Sequence, residues 1–206
     1  MKEPWREHRV TDRRILRTRS MIMDAFLTVL QKKEYPEITV IDIAEQANIN
    51  RSTFYAHYID KDDLLHNMVK EKLDLLTEAT SGRQKEAVEV APAFHEPDAF
   101  FAALFEHLSD HETFYRVMLK RLNPSELHAK MQDIIKESFY IRISKLDLDQ
   151  KLQVPLDILL DYISCSTQGI IVKWLEDNRI YSPHYMALQL TRLSLLGIYK
   201  AMGMKE

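Results

Sequence analysis

The run from Thr39 to Leu65, TVIDIAEQANINRSTFYAHYIDKDDLL, limits what this chain can fold into more than any other stretch. It reads as two short helices joined by a tight turn, followed by a second turn that opens a third helix. Val40, Ile43, Ala44 and Ala47 recur at helical spacing, so the first helix has one apolar face. Thr39 stands where an N-cap belongs, and Asp42 suits the positive end of that helix. Asn48 interrupts the pattern; asparagine tolerates the left-handed backbone that a tight helix-to-helix turn demands. Ile49 can then plug the turn into the core, and Asn50 can cap the next helix.

That next helix, expected over Arg51 to Tyr58, turns Phe54 and Tyr58 inward, four residues apart. Its other positions are Arg51, Ser52, Thr53, Tyr55, Ala56 and His57, with no carboxylate among them. Surface helices usually mix both signs, so an acid-free outer face points to an anionic partner. A short helix presenting donors from its first turns suits the DNA major groove. Arg51, Ser52, Thr53, Tyr55 and His57 are the candidate DNA-facing residues, with Arg51, Thr53 and Tyr55 placed to reach base edges.

Three pieces, TVIDIAEQANI, NRSTFYAHY and DKDDLL, fall in order at a spacing that resembles the DNA-binding domain of the tetracycline-repressor (TetR) family of bacterial transcription regulators. The resemblance covers roughly residues 11 to 70; beyond it only length and helical pattern are similar. Asn48 stands where the family often has glycine. The resemblance implies that Lys61 contacts a DNA phosphate, and Thr39 is placed with it as a phosphate contact. It also implies a pocket for an apolar or aromatic small molecule in the helical body.

Net charge alone misleads. The chain carries −3, but residues 1 to 20 hold seven basic and three acidic side chains, a surplus of four, which leaves −7 for the rest. A basic arm on an acidic body fits DNA contacts confined to one end. Arg14 and Arg17 lie off the inward stripe of the first helix and are placed to reach phosphates. The single cysteine, Cys165, excludes an internal disulfide framework and fits a reducing cytosol. No apolar run reaches the roughly 18 residues that a membrane span needs, and the N-terminus lacks the apolar core of a signal peptide. Cytoplasmic location is therefore expected.

The expected fold is all-α: an N-terminal three-helix, helix-turn-helix head and a C-terminal helical body for ligand binding and dimerisation. Residues 1–10 are expected as a basic flexible arm, 11–65 as the head and 66–206 as the body. The first helix is expected from about Thr11 to Lys33, and the fourth from an Asp60 cap to about Thr80. Residues 81–96 are expected to be a mobile connection, because Ser81-Gly82 and Pro92 break the pattern. Pro97 is expected in the first turn of an aromatic helix ending near Leu108. Asn123-Pro124-Ser125-Glu126 and Ser182-Pro183 read as cap-plus-proline helix starts. The final helix is apolar nearly all round, so it needs cover on every side. A second copy can supply that cover. The candidate homodimer interface is Leu160, Ile163, Ile171, Leu190, Leu193 and Ile198, with Gly169 allowing close approach.

Candidate effector-pocket residues are Phe101, Phe105, Phe114, Met118, Met131, Ile135, Phe139 and Tyr162, since aromatic and methionine side chains adapt to varied ligands. No nucleotide-binding glycine loop, CxxC pair or HExxH pattern occurs, so no catalytic residue, metal site or cofactor is expected. His107 and His111 are four apart, but a new helix starting at Asp110 would separate them. Two function classes stay open. One is a repressor released from a pseudo-palindromic double-stranded operator by a small molecule. The other is a helix-turn-helix protein controlled by a protein partner, such as a division or nucleoid factor, with no small-molecule effector.

Overall fold

Thr39 and Asp42 form the reciprocal cap that opens the second helix. The Asp42 amide donates to Thr39 Oγ1 at 3.3 Å, and the Thr39 amide donates to Asp42 Oδ2 at 2.9 Å. The computed structural model describes residues 4–87, 93–122, 125–145, 152–177 and 180–203. The chain folds as two units, Met1–Glu71 and Lys72–Glu206.

The first unit holds α1 (Pro4–Leu30), a 3-10 turn (Tyr35–Glu37), α2 (Val40–Gln46), α3 (Arg51–Tyr55) and the start of α4 (Lys61–Ala87). α1 begins at Pro4, so the flexible arm expected for residues 1–10 gives way to helix from that point. The reason is local: proline suits a first helical position, and no glycine or further proline interrupts the chain before Leu30. α1 also stops at Leu30, three residues short of the expected Lys33. Ile22, Phe26, Leu30, Ile38, Ile43, Phe54, Tyr58, Leu64 and Met68 build the core of this unit. Burying each such side chain contributes about 1.5–3 kcal/mol. Asn48 takes φ 53°, and the Ile49 amide bonds the Ala44 carbonyl at 3.0 Å, which closes the turn between α2 and α3. Asn50 has the extended backbone of a cap but makes no side-chain capping bond, unlike the expectation. Asp60 does cap α4, accepting from the Asp63 amide at 2.8 Å.

The second unit contains the later turns of α4, then α5 (Ala99–Asp110), α6 (Glu112–Val117), a π-helical turn (Met118–Leu122), α7 (Ser125–Lys145), α8 (Leu156–Glu176) and α9 (Pro183–Ala201). α4 runs through Ser81-Gly82 to Ala87, past the expected end at Thr80. One glycine costs a helix about 1 kcal/mol and need not end it. Residues 88–92, including Pro92, lie outside the described residues, as do Asn123 and Pro124. α5 is capped by Asp98, whose Oδ1 accepts from the Phe100 amide at 3.0 Å, so Pro97 precedes the cap instead of opening the helix. Ser182 caps α9 as expected, accepting from the Tyr185 amide at 3.2 Å.

Asp98 also holds three helices together. Arg142 of α7 reaches it with two nitrogens at 2.8 and 3.1 Å, and its amide donates to Thr191 Oγ1 of α9 at 2.7 Å. Such a buried carboxylate persists only when paired and hydrogen-bonded. Phe105 of α5 packs edge-on against Trp174 of α8 at 5.1 Å, and Trp174 Nε1 donates to the Tyr181 carbonyl at 2.9 Å. Near its end α9 is interrupted at Gly197, which adopts φ 66°. An L-residue would be strained there. Among the described residues there is no strand, and no helix is long and apolar enough to cross a membrane.

Candidate nucleic-acid interface

α3 is only five residues long, yet it separates its two faces sharply. Phe54 and Tyr58 are buried, their rings 5.8 Å apart. Arg51, Ser52 and Tyr55 are exposed; Thr53 and His57, which lies in the turn after the helix, are partly covered. Tyr55 keeps 57% of its surface open although it is a large aromatic residue. Its ring stands edge-on to Phe54 at 5.7 Å, so it is steadied from below while its face stays available. α3 has no acidic residue. The five candidate side chains thus come together on one short segment, with a guanidinium, an imidazole, three hydroxyls and an open aromatic face and no carboxylate to repel a polyanion.

Thr39 is exposed at the start of α2. Its hydroxyl is shared with Asp42, and Asp42 is in turn bonded by Lys33 at 2.6 Å. That lysine, with the Thr39 amide and hydroxyl, pulls the Asp42 carboxyl down to about 2. Lys33 therefore fixes the capping carboxylate in its charged form, a support that sequence spacing did not suggest.

Lys61 has inward partners. Its ammonium donates to the carbonyls of Tyr35 at 2.8 Å, Pro36 at 3.2 Å and Ile38 at 2.9 Å, and lies 4.7 Å from the centre of the Tyr35 ring. A cation in the first turn of α4 needs compensation. Within the protein the carbonyls of Tyr35 and Pro36, and of Ile38 just after that turn, supply it; the phosphate contact expected of Lys61 would come in addition. Tyr35 also bonds Asp62 through its hydroxyl. Burial, reinforced by that carboxylate, raises the Tyr35 phenol well above its ordinary range.

In the second unit the structure changes several assignments. Phe101, Phe105, Phe114, Met118, Met131, Ile135 and Phe139 are all buried, and Phe139 packs on Phe101 at 5.8 Å. Tyr162 does not join them: it is 54% exposed, because its position on α8 falls on the outward edge. One cleft of about 340 Å³ is lined by Ile170, Lys173, Trp174, Asp177, Ile180, Tyr181, Tyr185, Met186, Gln189, Leu190 and Leu193. Another of similar size is lined by Thr77, Thr80, Ser81, Asp133, Ile134, Glu137, Ser138 and Ile141. Neither includes any of the eight candidate pocket residues.

Of the candidate interface residues, Ile171 and Leu190 belong to the unit's own core, being 0% and 5% exposed. Ile171 lies one turn before Trp174, on the inward edge of α8. Leu160 and Ile163 are half-buried, and Leu193 and Ile198 are exposed. Ile158 of α8 and Tyr185 of α9 are exposed as well. Gly169 opens onto free space.

His107 and His111 do face each other, their ring centres 4.6 Å apart. α5 extends through Asp110, so the expected break does not separate them. Among the described residues no group of three or more His, Cys, Asp or Glu is placed to hold a metal ion.

Against this geometry, a model of bacterial regulatory proteins of the tetR family matches residues 22–68, and a transcriptional regulator C-terminal region model of the same family matches residues 95–195. The chain belongs to the tetR family of bacterial transcriptional regulators. The N-terminal match runs from the first core residue of α1, Ile22, through α2 and α3 to Met68 of α4, the segment that presents Tyr55 and its neighbours. This TetR-family chain is 29% identical over 195 residues to the uncharacterized HTH-type transcriptional regulator YxbF of Bacillus subtilis. That match covers 92% of the chain and 47% of YxbF, so the chain spans about half the length of that relative. It is 27% identical over 139 residues to IcaR of Staphylococcus aureus, the negative transcriptional regulator of the biofilm operon icaADBC, covering 65% of the chain and 71% of IcaR. Its fold is similar to FadR of Bacillus subtilis, solved in complex with stearoyl-CoA, with a TM-score of 0.65 at 19% identity over 87% of the chain and 98% of FadR.

Proposed function

We propose that this regulator is a homodimeric repressor that binds a pseudo-palindromic double-stranded operator and is released from it by an apolar or aromatic small molecule. The observation that carries the reading is the exposed, acid-free face of α3, with Tyr55 held open to solvent. Arg51, Thr53 and Tyr55 read base edges in the major groove, Ser52 and His57 support them, and Thr39 touches phosphate. Residues 11–65 form the reading head and 66–206 the regulatory body. The activity involves no catalysis and no cofactor, and it is exercised in the cytoplasm, where the DNA is.

Two-fold symmetry is supported by the apolar surface that α8 and α9 leave uncovered, at Ile158, Tyr162, Leu193 and Ile198. Two copies place their α3 helices roughly 34–36 Å apart to enter successive major grooves. A ligand that alters this spacing weakens DNA binding some 5- to 150-fold through a coupling of about 1–3 kcal/mol, and DNA weakens ligand binding by the same factor. The FadR likeness supports a ligand with a long apolar part, as stearoyl-CoA has. IcaR supports repression over activation.

The second reading, control by a protein partner without a small molecule, is favoured by one observation. Seven of the eight candidate pocket residues are already buried against the protein itself. One experiment separates the two. Operator fragments are selected from the source genome, and candidate acyl ligands are titrated calorimetrically with and without the operator. Unequal affinities support the first reading; equal affinities, or no binding, support the second. Failure to retain any fragment at low salt overturns both.

A further inference from the structure

Arg13, Arg14 and Arg17 lie on the part of α1 that precedes its packed core. α1 starts at Pro4, yet the first buried residue among its described side chains is Ile22. Ile15 and Leu16 are 43% and 59% exposed, so this part of the helix is not packed down onto the head. From Arg13 to Arg19 the sequence RRILRTR holds four arginines and no acid. The Arg19 guanidinium lies 5.3 Å over the ring of Tyr58, the buried aromatic just beyond α3. That contact holds α1 beside the C-terminal end of α3.

Arg13, Arg14 and Arg17 are exposed, and their guanidinium groups make no hydrogen bond or ion pair among the described residues. Arg13 and Arg17 are four apart on the helix, a like-charge spacing that destabilises it. An arginine on a surface helix ordinarily finds a carboxylate one turn away; here the residues one turn on are Leu16, Arg17, Thr18, Ser20 and Met21. The arrangement is unfavourable for the isolated protein and favourable beside a polyanion. Helix rise places Arg13 about 6 Å along the axis from Arg17, against one backbone charge about every 3.4 Å along a DNA strand.

We propose that this extension is a second DNA-contacting element, in which Arg13, Arg14 and Arg17 grip phosphates flanking the groove that α3 enters. It rests on the reading of α3 as the DNA-reading helix and adds contacts outside the bases that α3 touches. These contacts carry no sequence information; they add affinity and lengthen the protected site.

The test compares the full chain with the triple variant Arg13→Gln, Arg14→Gln, Arg17→Gln, and with the Arg→Lys triple that keeps the charge. Circular dichroism checks that both fold. Binding to a selected operator is followed over a range of salt, together with a hydroxyl-radical footprint. Each lost phosphate contact lowers the slope of log affinity against log salt by about 0.9. The Gln triple is expected to lose about 2–3 from that slope and to bind about 100-fold more weakly near 0.1 M salt, with its ranking of sequences unchanged. Protection flanking the α3 half-sites disappears from its footprint, and the Lys triple behaves as the parent. An unchanged slope and footprint in the Gln triple, while the parent binds specifically, overturns this proposal alone. A parent that binds no DNA overturns it together with the reading beneath it.

Discussion

The ammonium of Lys61 lies 2.8 Å from the carbonyl oxygen of Tyr35, and the carbonyls of Pro36 and Ile38 complete its set of acceptors. The first turn of α4 is thereby tied to the turn that immediately precedes the Thr39 cap of α2.

Lys61→Met should therefore destabilise the DNA-free protein, because it removes a charged donor from three carbonyls, of which that of Tyr35 keeps the Ile38 amide. A loss of about 2 kcal/mol is expected, equivalent to a fall in melting temperature of roughly 4–8 °C for a chain of this size. Melting of the variant without DNA decides the point. A variant that melts with the parent, yet loses about 1 from the salt slope, would return Lys61 to a purely phosphate-binding role.

Tyr55→Ala should weaken and relax selective operator binding while the fold survives, since the ring is exposed and no hydrogen bond among the described residues of the head depends on it. Loss of one good base-edge contact is worth about 1–3 kcal/mol, and preference at one position of each half-site should relax with it. Retained selectivity with an unchanged site would remove Tyr55 from the reading face.

Stability should fall with acid in a window set by His107. Burial, with His111 and Lys72 nearby, lowers its pKa from 6.5 to about 4, and its Nε2 lies 3.0 Å from the Tyr115 hydroxyl. Between those values the unfolded chain holds more protons than the folded one. Stability is therefore fully present above about pH 6.5 and declines as pH drops toward 4, by on the order of 3 kcal/mol in all. Denaturant titrations at pH 7, 5.5 and 4.5 measure the decline, and His107→Gln should flatten it. An equally steep decline in the variant would place the acid sensitivity elsewhere.

Tyr162→Glu and Leu193→Glu should each weaken dimer formation without unfolding the body, because both side chains are exposed in the single chain. Ile171→Glu should instead unfold it, since that side chain is fully buried. Sedimentation at micromolar concentration, read with a far-UV spectrum, distinguishes these outcomes. A Tyr162→Glu, Leu193→Glu double variant that remains fully dimeric would move the interface off this surface.

The features that sequence reading recovered have partners within a few residues. Thr39 with Asp42, Asp60 with Asp63, Ser182 with Tyr185, and the turn at Asn48 are all settled by neighbours along the chain. The alternation of buried Phe54 and Tyr58 with exposed Tyr55 follows from helical spacing alone. The features it did not recover depend on distant partners. No local pattern tells Lys61 that its acceptors begin at Tyr35, or gives Asp98 its Arg142 and Thr191. The same limit holds for the candidate interface residues. α8 and α9 are apolar on several sides, so sequence alone does not say that Ile171 is buried while Leu193 is exposed. Residues 4–10 are helical where a flexible arm is expected, because a basic run without glycine or a second proline does not forbid helix.

Asp98 donates its amide to Thr191, ninety-three residues later. On a ribosome the helical body cannot close around Asp98 until Thr191 has been made. The partners that fix the head, Arg19 with Tyr58 and Lys61 with Tyr35 through Ile38, are all present once the first 71 residues have emerged. Synthesis at about 5–20 residues per second leaves roughly 7–27 seconds before Glu206 appears. On the proposed reading, a head finished before α8 and α9 have emerged meets an operator as a single copy, one that cannot yet grip both halves of a symmetric site.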